Sequence, residues 1–257
     1  MLALMPAVLA ALAGLAVGLA PARPLRALLV ADELPAMERL AARLGALEGV
    51  ECSLTRPGAM GADLGGYDAV AVYIHGVLSP AAEAAFIRYA EAGGTLVLLH
   101  HSISSGKRAN RDWFRFLGVT LPEEGPGRYR WIEGVTLEVV NLAPGHPIPS
   151  RGVRYPERIP FARAARPERR LPGFRLHDSE VYLNHVLTGP RTPLLGLRWT
   201  DPRSGETLMQ ETAGWVRAAG RGHVVYLMPG HNAREFDDPT YARIVANAVV
   251  WRPTRGE

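Results

Sequence analysis

The clearest pattern in the sequence is a series of short apolar runs, each followed by a polar residue or a turn signal. Between residues 25 and 99 the runs lie at 25–31, 50–54, 67–74 and 95–99. Continuous apolar runs of this length are typical of strands that are covered on both faces, as in a parallel sheet. The first part of the chain is therefore predicted to form buried parallel strands.

Helices are predicted between these strands. Residues 33–47 carry apolar residues at helical spacing and end at Gly49. Ser79 and Pro80 have the residue types of an N-cap and a first helical position, and this second helix runs to Ala92. Asp238 followed by proline predicts the start of a last helix. Strands and helices that alternate with short links indicate a doubly wound α/β sheet with helices on both faces.

The second half of the chain is less regular. Residues 135–140 alternate as a half-exposed strand would, and further strands are predicted at 192–199, 207–210 and 223–228. Residues 144–175 are rich in proline and arginine, and they are predicted to form a long loop. The expected architecture is a mostly parallel sheet with an antiparallel extension.

The first 22 residues differ in kind from the rest. Leu2 to Ala20 is an apolar stretch rich in alanine, leucine and glycine, and Ala20-Pro21-Ala22 is typical of a small-x-small cleavage site. Residues 1–22 are predicted to be a signal peptide or an uncleaved N-terminal anchor, and residues 23–257 a single domain. The expected location is exported, periplasmic or extracellular, with membrane contact only through this leader.

Composition narrows the range of partners. The formal net charge is +4, but the chain has one lysine, Lys107, and no basic face interleaved with aromatic residues, so nucleic-acid binding is not expected. The single cysteine, Cys52, excludes an internal disulfide. Homo-oligomers remain open at this point.

Several polar residues directly follow predicted buried strands. They are Asp32, His75, His100, His101 and His231. In a doubly wound sheet, ligands bind beyond the carboxyl ends of the strands, so these side chains are expected at one rim. Asp32 has a simpler interpretation as a cap of the following helix. The histidines predict a site that works by proton transfer or metal binding.

Absent motifs exclude several activities. His100 occupies the strand-to-helix turn at which a nucleophile elbow presents serine or cysteine, and no Gly-x-Ser-x-Gly or Gly-x-Cys-x-Gly is present. Ser102 beside a histidine stays a fallback nucleophile. Phosphate-binding glycine loops and zinc-motif spacings are also missing. No cofactor is certain, and a divalent metal held by His100, Glu180 and His231 from separate elements remains open.

The order of several short motifs resembles a known family. The motifs are Gly93-Gly94-Thr95-Leu96-Val97-Leu98-Leu99-His100 with Trp113 downstream, Gly145-His146-Pro147-Ile148, Glu180-Val181-Tyr182, Gly214-Trp215, Gly220-Arg221-Gly222-His223-Val224-Val225-Tyr226, Gly230-His231, Phe236 and Asn247-Ala248-Val249-Val250-Trp251. In this order they resemble the trehalose-utilisation (ThuA-like) family of the class I glutamine-amidotransferase-like superfamily. The resemblance spans residues 26–253 and implies a flavodoxin-like fold.

The resemblance also implies a carbohydrate as the small-molecule partner. His100, Glu180, Tyr182 and His231 match the family pattern. Ser179 departs from it, because the family usually has an acidic pair before x-Tyr. Asp32-Glu33-Leu34 also stands where a histidine often follows the first strand.

Two functions follow as expectations. The first is an enzyme acting on a sugar or keto-sugar, in which His100, Glu180 and His231 serve as acid, base or metal ligands. Substrate binding is then expected from four residues: His75, His101, Trp113 and Tyr182. Of these, Trp113 and Tyr182 would form an aromatic wall. The alternative is a non-catalytic carbohydrate-binding or accessory module. His146 is expected to be structural, and the sequence does not place His177 or His185.

Overall fold

The computed structural model describes residues 23–163 and 167–253. The predicted leader, residues 1–22, lies outside the described residues, so its prediction stays open. Among the residues described, no helix is both long and apolar enough to cross a bilayer.

The described chain forms twelve strands and five α-helices. The strands are β1 (Arg26–Ala31), β2 (Glu51–Thr55), β3 (Ala69–Tyr73), β4 (Thr95–Leu99), β5 (Val119–Thr120), β6 (Arg130–Asn141), β7 (Glu157–Phe161), β8 (Arg169–Leu183), β9 (Val186–Leu187), β10 (Thr192–Thr200), β11 (Thr207–Ala219) and β12 (Gly222–Leu227). The helices are α1 (Leu34–Glu48), α2 (Pro80–Glu91), α3 (Arg111–Leu117), α4 (Pro147–Ser150) and α5 (Pro239–Val250). Short 3₁₀ turns are Pro57–Ala59, His100–Ile103, Ser105–Lys107 and Ala233–Asp237.

Ten of the described strands join one sheet in the order β2-β1-β3-β4-β12-β11-β10-β6-β8-β7. The pairings from β2 to β12 are parallel, and the five beyond β12 are antiparallel. The predicted α/β fold is confirmed, and the antiparallel extension contributes half of the strands in this sheet. Strands β3 and β4 are buried along their whole length, as their apolar sequences predict.

Helix ends follow the predicted capping chemistry. The Ser79 hydroxyl accepts a hydrogen bond from the Ala82 N–H, and the Asp238 carboxylate accepts one from the Tyr241 N–H. Each cap is followed by a proline, whose missing N–H is not needed at a helix start. Helices α1 and α5 pack against each other, and α2 packs against α3. Their apolar faces cover the parallel half of the sheet.

The prediction of a long loop at 144–175 was wrong. This segment contains α4, β7 and the start of β8. Strand β7 lies at the edge of the sheet and pairs only with β8 among the described strands. Its Pro160 has no backbone N–H to donate, and this is tolerated because an edge strand has a neighbour on one side only. The high content of proline and arginine therefore led to the wrong prediction of a loop where β7 and the start of β8 lie.

The strand register sets the position of the functional residues. Ala31 pairs with Tyr73, Val72 with Leu98, and Leu99 with Leu227, so four parallel strands end at one edge. The residues that follow these strands project from that edge. β8 approaches the same edge from the antiparallel half of the sheet and carries Glu180 to it.

Candidate functional site

Glu180 lies at the centre of a buried cluster. Its Oε2 atom is 2.8 Å from Nε2 of His100, 3.3 Å from Nδ1 of His231 and 3.7 Å from Nε2 of His101. The ligand atoms of these four residues all lie within 4.8 Å of one another. Three elements distant in sequence thus bring three imidazoles to one carboxylate oxygen, and we call these four residues the Glu180 cluster.

His100 is the most constrained member of the Glu180 cluster. It is fully buried, and its Nδ1 lies 2.5 Å from the carbonyl oxygen of Met228. Because a carbonyl oxygen only accepts, this hydrogen bond requires the proton on Nδ1. Nε2 faces Oε2 of Glu180, and the Tyr182 hydroxyl lies 3.2 Å from the same nitrogen. His100 is therefore held with its second ring nitrogen directed at the carboxylate.

The backbone of His100 has φ +43°, in the left-handed region that side chains other than glycine rarely adopt. Such strain persists only where surrounding contacts hold it, and it is common at functional turns. The strained turn after β4 corresponds to that of a nucleophile elbow, with histidine as the presented side chain.

This strain predicts that glycine is a more stabilising substitute than alanine at position 100, the reverse of the usual order. Both His100→Gly and His100→Ala remove the ring, but glycine accepts the backbone angle, so His100→Gly should be more stable by about 1 kcal/mol. Urea unfolding of the two variants measures the difference. The same pair of substitutions at His101, whose φ is negative, should show the ordinary order with alanine more stable. An ordinary order at both positions would contradict the prediction.

The electrostatic surroundings shift the pKa values of Glu180, His231 and His101 in different directions. Burial opposes ionisation of Glu180, but hydrogen bonds with His100 and His231 outweigh it and lower the pKa of Glu180 to about 2. The hydrogen bond to Glu180 raises the pKa of His231 above its ordinary value, against a smaller effect of burial. Burial lowers the pKa of His101 far below its ordinary value, and the nearby His100 and His75 add to this. His101 is therefore neutral and available as a ligand.

The distances from Glu180 to the three imidazoles fit a metal ion. In a tetrahedral site with ligand bonds of about 2.0–2.1 Å, ligand atoms lie about 3.3 Å apart. The three nitrogen-to-Glu180 distances range from 2.8 to 3.7 Å. The Met228 carbonyl behind His100 is the outer partner that commonly orients a metal-binding imidazole. Imidazole and carboxylate donors suit zinc and other first-row transition metals.

A second pair of groups lies beside the Glu180 cluster. Asp32 accepts a hydrogen bond from the His75 N–H at 2.7 Å, and its other oxygen lies 3.1 Å from Nδ1 of the same residue. The rings of His75 and His101 are 3.4 Å apart at their centroids. Asp32 is not a helix cap, because the N-cap of α1 is Glu33 and makes no side-chain cap bond. Asp32 instead orients His75 at the solvent side of the site.

The Asp32–His75 pair predicts a pH-dependent stability. Burial opposes ionisation, but hydrogen bonds from His75 lower the pKa of Asp32 from 3.8 to about 2. Ionised Asp32 therefore stabilises the fold above about pH 4, and this contribution is lost as pH falls toward 2. Because its side chain is a third exposed, Asp32→Asn should cost only about 1 kcal/mol at pH 7.

Urea unfolding at pH 7, 5 and 3 measures this effect, and the difference between the wild type and Asp32→Asn should shrink below pH 4. The control is Asp112→Asn, an exposed carboxylate on α3. A difference that stays constant from pH 7 to pH 3 would show that Asp32 does not act through its charge.

Two predicted aromatic contacts are corrected by the structure. Trp113 is fully buried, and its Nε1 donates to the Ser102 carbonyl, so it is a core residue that no substrate reaches. Tyr182 is 1% exposed and stacks on His100 with ring centroids 4.8 Å apart. Tyr182 therefore supports His100, and the two residues do not form a wall for a sugar ring.

The fallback nucleophile is also excluded by its contacts. The Ser102 hydroxyl is buried and donates toward the carbonyls of Val72 and Leu99. The two histidines that flank Glu180 in sequence lie outside the Glu180 cluster. His177 is exposed and bonds to Thr136, whereas His185 is buried among tyrosine rings behind the cluster.

His146 caps α4 by accepting the Ile148 N–H, as a structural residue would. It also lines a cavity of about 440 Å³ with Arg217 and His223 near the start of β12. The Glu180 cluster lies at the other end of that strand and contributes no residue to this cavity.

Sequence reasoning missed two buried charged groups near the site. Glu235 accepts the Gly230 N–H at 2.6 Å, next to His231, and burial raises its pKa against that bond. Lys107 is fully buried, and its Nζ donates to the carbonyls of Ile74, His75 and His101. In the sequence, Lys107 is distinguished only as the single lysine of the chain. No local sequence pattern distinguishes Glu235.

A model of the trehalose-utilisation family (ThuA) matches residues 29–252. The chain belongs to the ThuA family. Among curated proteins, no sequence matches it. The Glu180 cluster and the Asp32–His75 pair thus lie within the ThuA match.

Solved structures agree with this fold. A ThuA-like protein from Bacteroides uniformis ATCC 8492 has TM-score 0.62 and 19% identity, covering 95% of this chain and 98% of that chain. A cold-adapted β-galactosidase from Rahnella sp. R3 has TM-score 0.53 and 11% identity, and the match covers 88% of this chain but 31% of that chain. A glutamine amidotransferase from Thermotoga maritima has TM-score 0.50 and 11% identity, covering 90% of this chain and 100% of that chain. At these identities the likeness supports the amidotransferase-like fold alone.

Proposed function

We propose that this ThuA-family protein is an enzyme that acts on a sugar or keto-sugar with a divalent metal bound by the Glu180 cluster. The observation that carries the proposal is the convergence of three imidazole nitrogens on one buried carboxylate oxygen. The sequence alone suggested His100, Glu180 and His231 as ligands, and the distances add His101. A carboxylate kept ionised by its neighbours is suited to hold a cation.

The donor set favours zinc or a similar transition metal over calcium or magnesium. Three of the four donors are imidazoles, whereas calcium and magnesium prefer oxygen ligands. A bound metal of this kind polarises a carbonyl or hydroxyl oxygen of the substrate. His101 would be a ready ligand because its low pKa keeps it unprotonated.

Proton transfer in the proposed reaction is assigned to His75. Asp32 lies 3.1 Å from Nδ1 of His75, and Nε2 lies 3.9 Å from a carboxylate oxygen of the exposed Glu33. His75 is about one-third exposed, whereas His100 is completely covered. His75 can therefore reach a substrate proton, and Asp32 orients its ring.

The carbohydrate substrate and export are proposed on different grounds. The family description, trehalose utilisation, supports a sugar or a keto-sugar. The apolar leader at residues 1–22 supports export to the periplasm or beyond. Fractionation of cells that express the full chain tests export, because an exported protein leaves the cytoplasmic fraction.

The decisive experiment measures metal binding and turnover together. Calorimetric titration of the purified protein with Zn²⁺, Mn²⁺ and Mg²⁺ should show one tight site for a transition metal and weak binding of Mg²⁺. His101→Ala should weaken that site by about 100-fold, because it removes one ligand. The matched control is His177→Ala, an exposed histidine outside the cluster.

The metal-loaded protein is then incubated with trehalose, other disaccharides and their keto derivatives, and products are followed by NMR. Turnover that requires the metal and is lost in His75→Ala supports the proposal. Saturable sugar binding without turnover would favour the carbohydrate-binding alternative. Equal metal affinity in the wild type and His101→Ala would overturn the metal assignment.

A further inference from the structure

One tryptophan in this chain is exposed beside the Glu180 cluster, although the others are buried. Trp131 is 52% exposed, whereas the remaining four of the five tryptophans are at most 9% exposed. Their positions are 113, 199, 215 and 251. An exposed tryptophan presents a large, rigid ring face to solvent, and such a face can bind a ligand.

The position of Trp131 connects it to the Glu180 cluster. In the register of β6 and β8, Trp131 lies opposite Tyr182, and Glu133 lies opposite Glu180. Residues directly opposite in antiparallel strands project from the same face of the sheet. Trp131 therefore lies on the face of the sheet that carries Glu180.

A row of aromatic rings leads from Trp131 to His100. Trp131 and Tyr129 have ring centroids 6.2 Å apart, and Tyr129 and Tyr182 have centroids 6.1 Å apart. Tyr182 then stacks on His100 at 4.8 Å. Interplanar angles along this row are 34°, 31° and 29°. The inner rings are buried, so Trp131 is the member of the row with a free face.

The surroundings of Trp131 are polar. Arg130 and Glu133 are exposed on the same strand, and the guanidinium of Arg108 lies over the Tyr129 ring. A single ring among charged groups differs from the extended apolar patch of a protein interface. It fits a ligand with one apolar face and a rim of hydroxyl groups, which is the chemistry of a pyranose ring.

We infer that Trp131 is the stacking platform for a sugar ring and holds a saccharide beside the Glu180 cluster. This inference rests on the proposed function, because it names the subsite for the substrate class proposed there. Glu133, on the same face of the strand as Trp131, is placed to bond a hydroxyl group of the stacked sugar. A two-ring saccharide would place one ring on Trp131 and extend toward the metal-binding residues.

The exposed indole is also the probe for its own test. Acrylamide quenches exposed tryptophan, so most of the quenchable emission should come from Trp131. Trehalose and cellobiose, added separately, should reduce this quenching in the wild type. Trp131→Phe should keep saccharide affinity within a few-fold by calorimetry but lose the quenchable signal. Trp131→Ala should bind the saccharide at least tenfold more weakly, because the ring face is gone.

The control variant is Val77→Ala, which shortens another exposed apolar side chain and should leave affinity unchanged. Unchanged saccharide affinity in Trp131→Ala would overturn the subsite and leave the proposed function standing. Failure of the wild type to bind any saccharide, with metal binding intact, would overturn the carbohydrate assignment itself. Quenching that falls with protein concentration in the absence of sugar would assign Trp131 to contact between copies and overturn the subsite.

Discussion

Replacing Glu180 by glutamine is expected to weaken transition-metal affinity by more than 100-fold and to abolish any metal-dependent turnover. The carboxylate oxygen is the atom toward which His100, His101 and His231 converge. Loss of an outer hydrogen-bond partner of a metal ligand already costs roughly 10- to 100-fold in metal affinity, and the loss of a charged ligand costs more. Calorimetric titration with Zn²⁺ measures the change.

The fold should survive this substitution. Glutamine has the size of glutamate, and its amide group, which has both a donor and an acceptor, can hydrogen-bond to Nε2 of His100. Near-ultraviolet circular dichroism checks that the packing of the aromatic row is kept. Glu38→Gln on the exposed face of α1 is the matched control and should bind metal as the wild type does. Unchanged metal affinity in a folded Glu180→Gln variant would exclude Glu180 as a ligand.

The pKa of His231 gives a second readout of the same substitution. Its hydrogen bond to Glu180 and the negative charge there raise its pKa, against burial. Removing the charge should lower the pKa of His231, so its NMR titration should move to lower pH. The raised pKa also means that His231⁺ stabilises the folded wild type at low pH, and this stabilisation fades as pH rises through the folded pKa.

Replacing Lys107 by methionine is expected to lower the free energy of unfolding by about 2 kcal/mol at pH 7. Its ammonium group donates to the carbonyls of Ile74, His75 and His101 at 2.6, 3.0 and 3.4 Å. Methionine fills the volume but leaves these buried acceptors without that donor, and each such loss costs about 1–3 kcal/mol. Removing a desolvated charge offsets part of this cost.

The pH dependence distinguishes Lys107 from an ordinary core residue. Burial lowers the pKa of Lys107 from 10.5 to about 8, and the charge of Asp32 offsets part of this effect. Between those values the unfolded chain binds more protons than the folded chain, so wild-type stability should rise with pH. From pH 8 to pH 9.5 the rise relative to Lys107→Met should be roughly 2 kcal/mol.

Urea unfolding at pH 7, 8 and 9.5 measures both effects. Arg115→Met removes a cation that is 82% exposed and should change stability by less than about 0.5 kcal/mol. A constant difference between the wild type and Lys107→Met across this pH range would contradict a lowered pKa for Lys107. Because Lys107 holds the backbone of His75 and His101, loss of stability should accompany weaker metal binding.

Local sequence determined the parallel half of the molecule and the rim of histidines. Apolar runs of strand length, capping residues and terminal glycines depend on interactions within a few positions, so they are readable without the fold. Four of the predicted strands there differ from β1 to β4 by at most two residues at either end. Since parallel strands end at a common edge, the grouping of His75, His100 and His231 followed from topology alone.

The antiparallel half was less readable because its strands are only partly covered and contain proline. β8 carries Glu180, yet its first residues were assigned to a loop. The register of β6 with β8 decides which residues face the Glu180 cluster, and a shift of one residue would reverse the faces. No local pattern contains that register, so the sequence favoured buried Trp113 over exposed Trp131.

The sequence by itself determined the fold class, the boundaries of α1 and α2, the start of α5 and the strand-end positions of the histidines, because these follow from short-range periodicity and capping residues. Tertiary structure alone decided which groups meet. Asp32 reaches His75 because β1 and β3 are neighbours in the sheet, and Glu180 reaches His100 because an antiparallel strand ends at the same edge. Charges, tautomers and pKa values depend on those contacts, and contacts between distant segments exist only once the chain is folded.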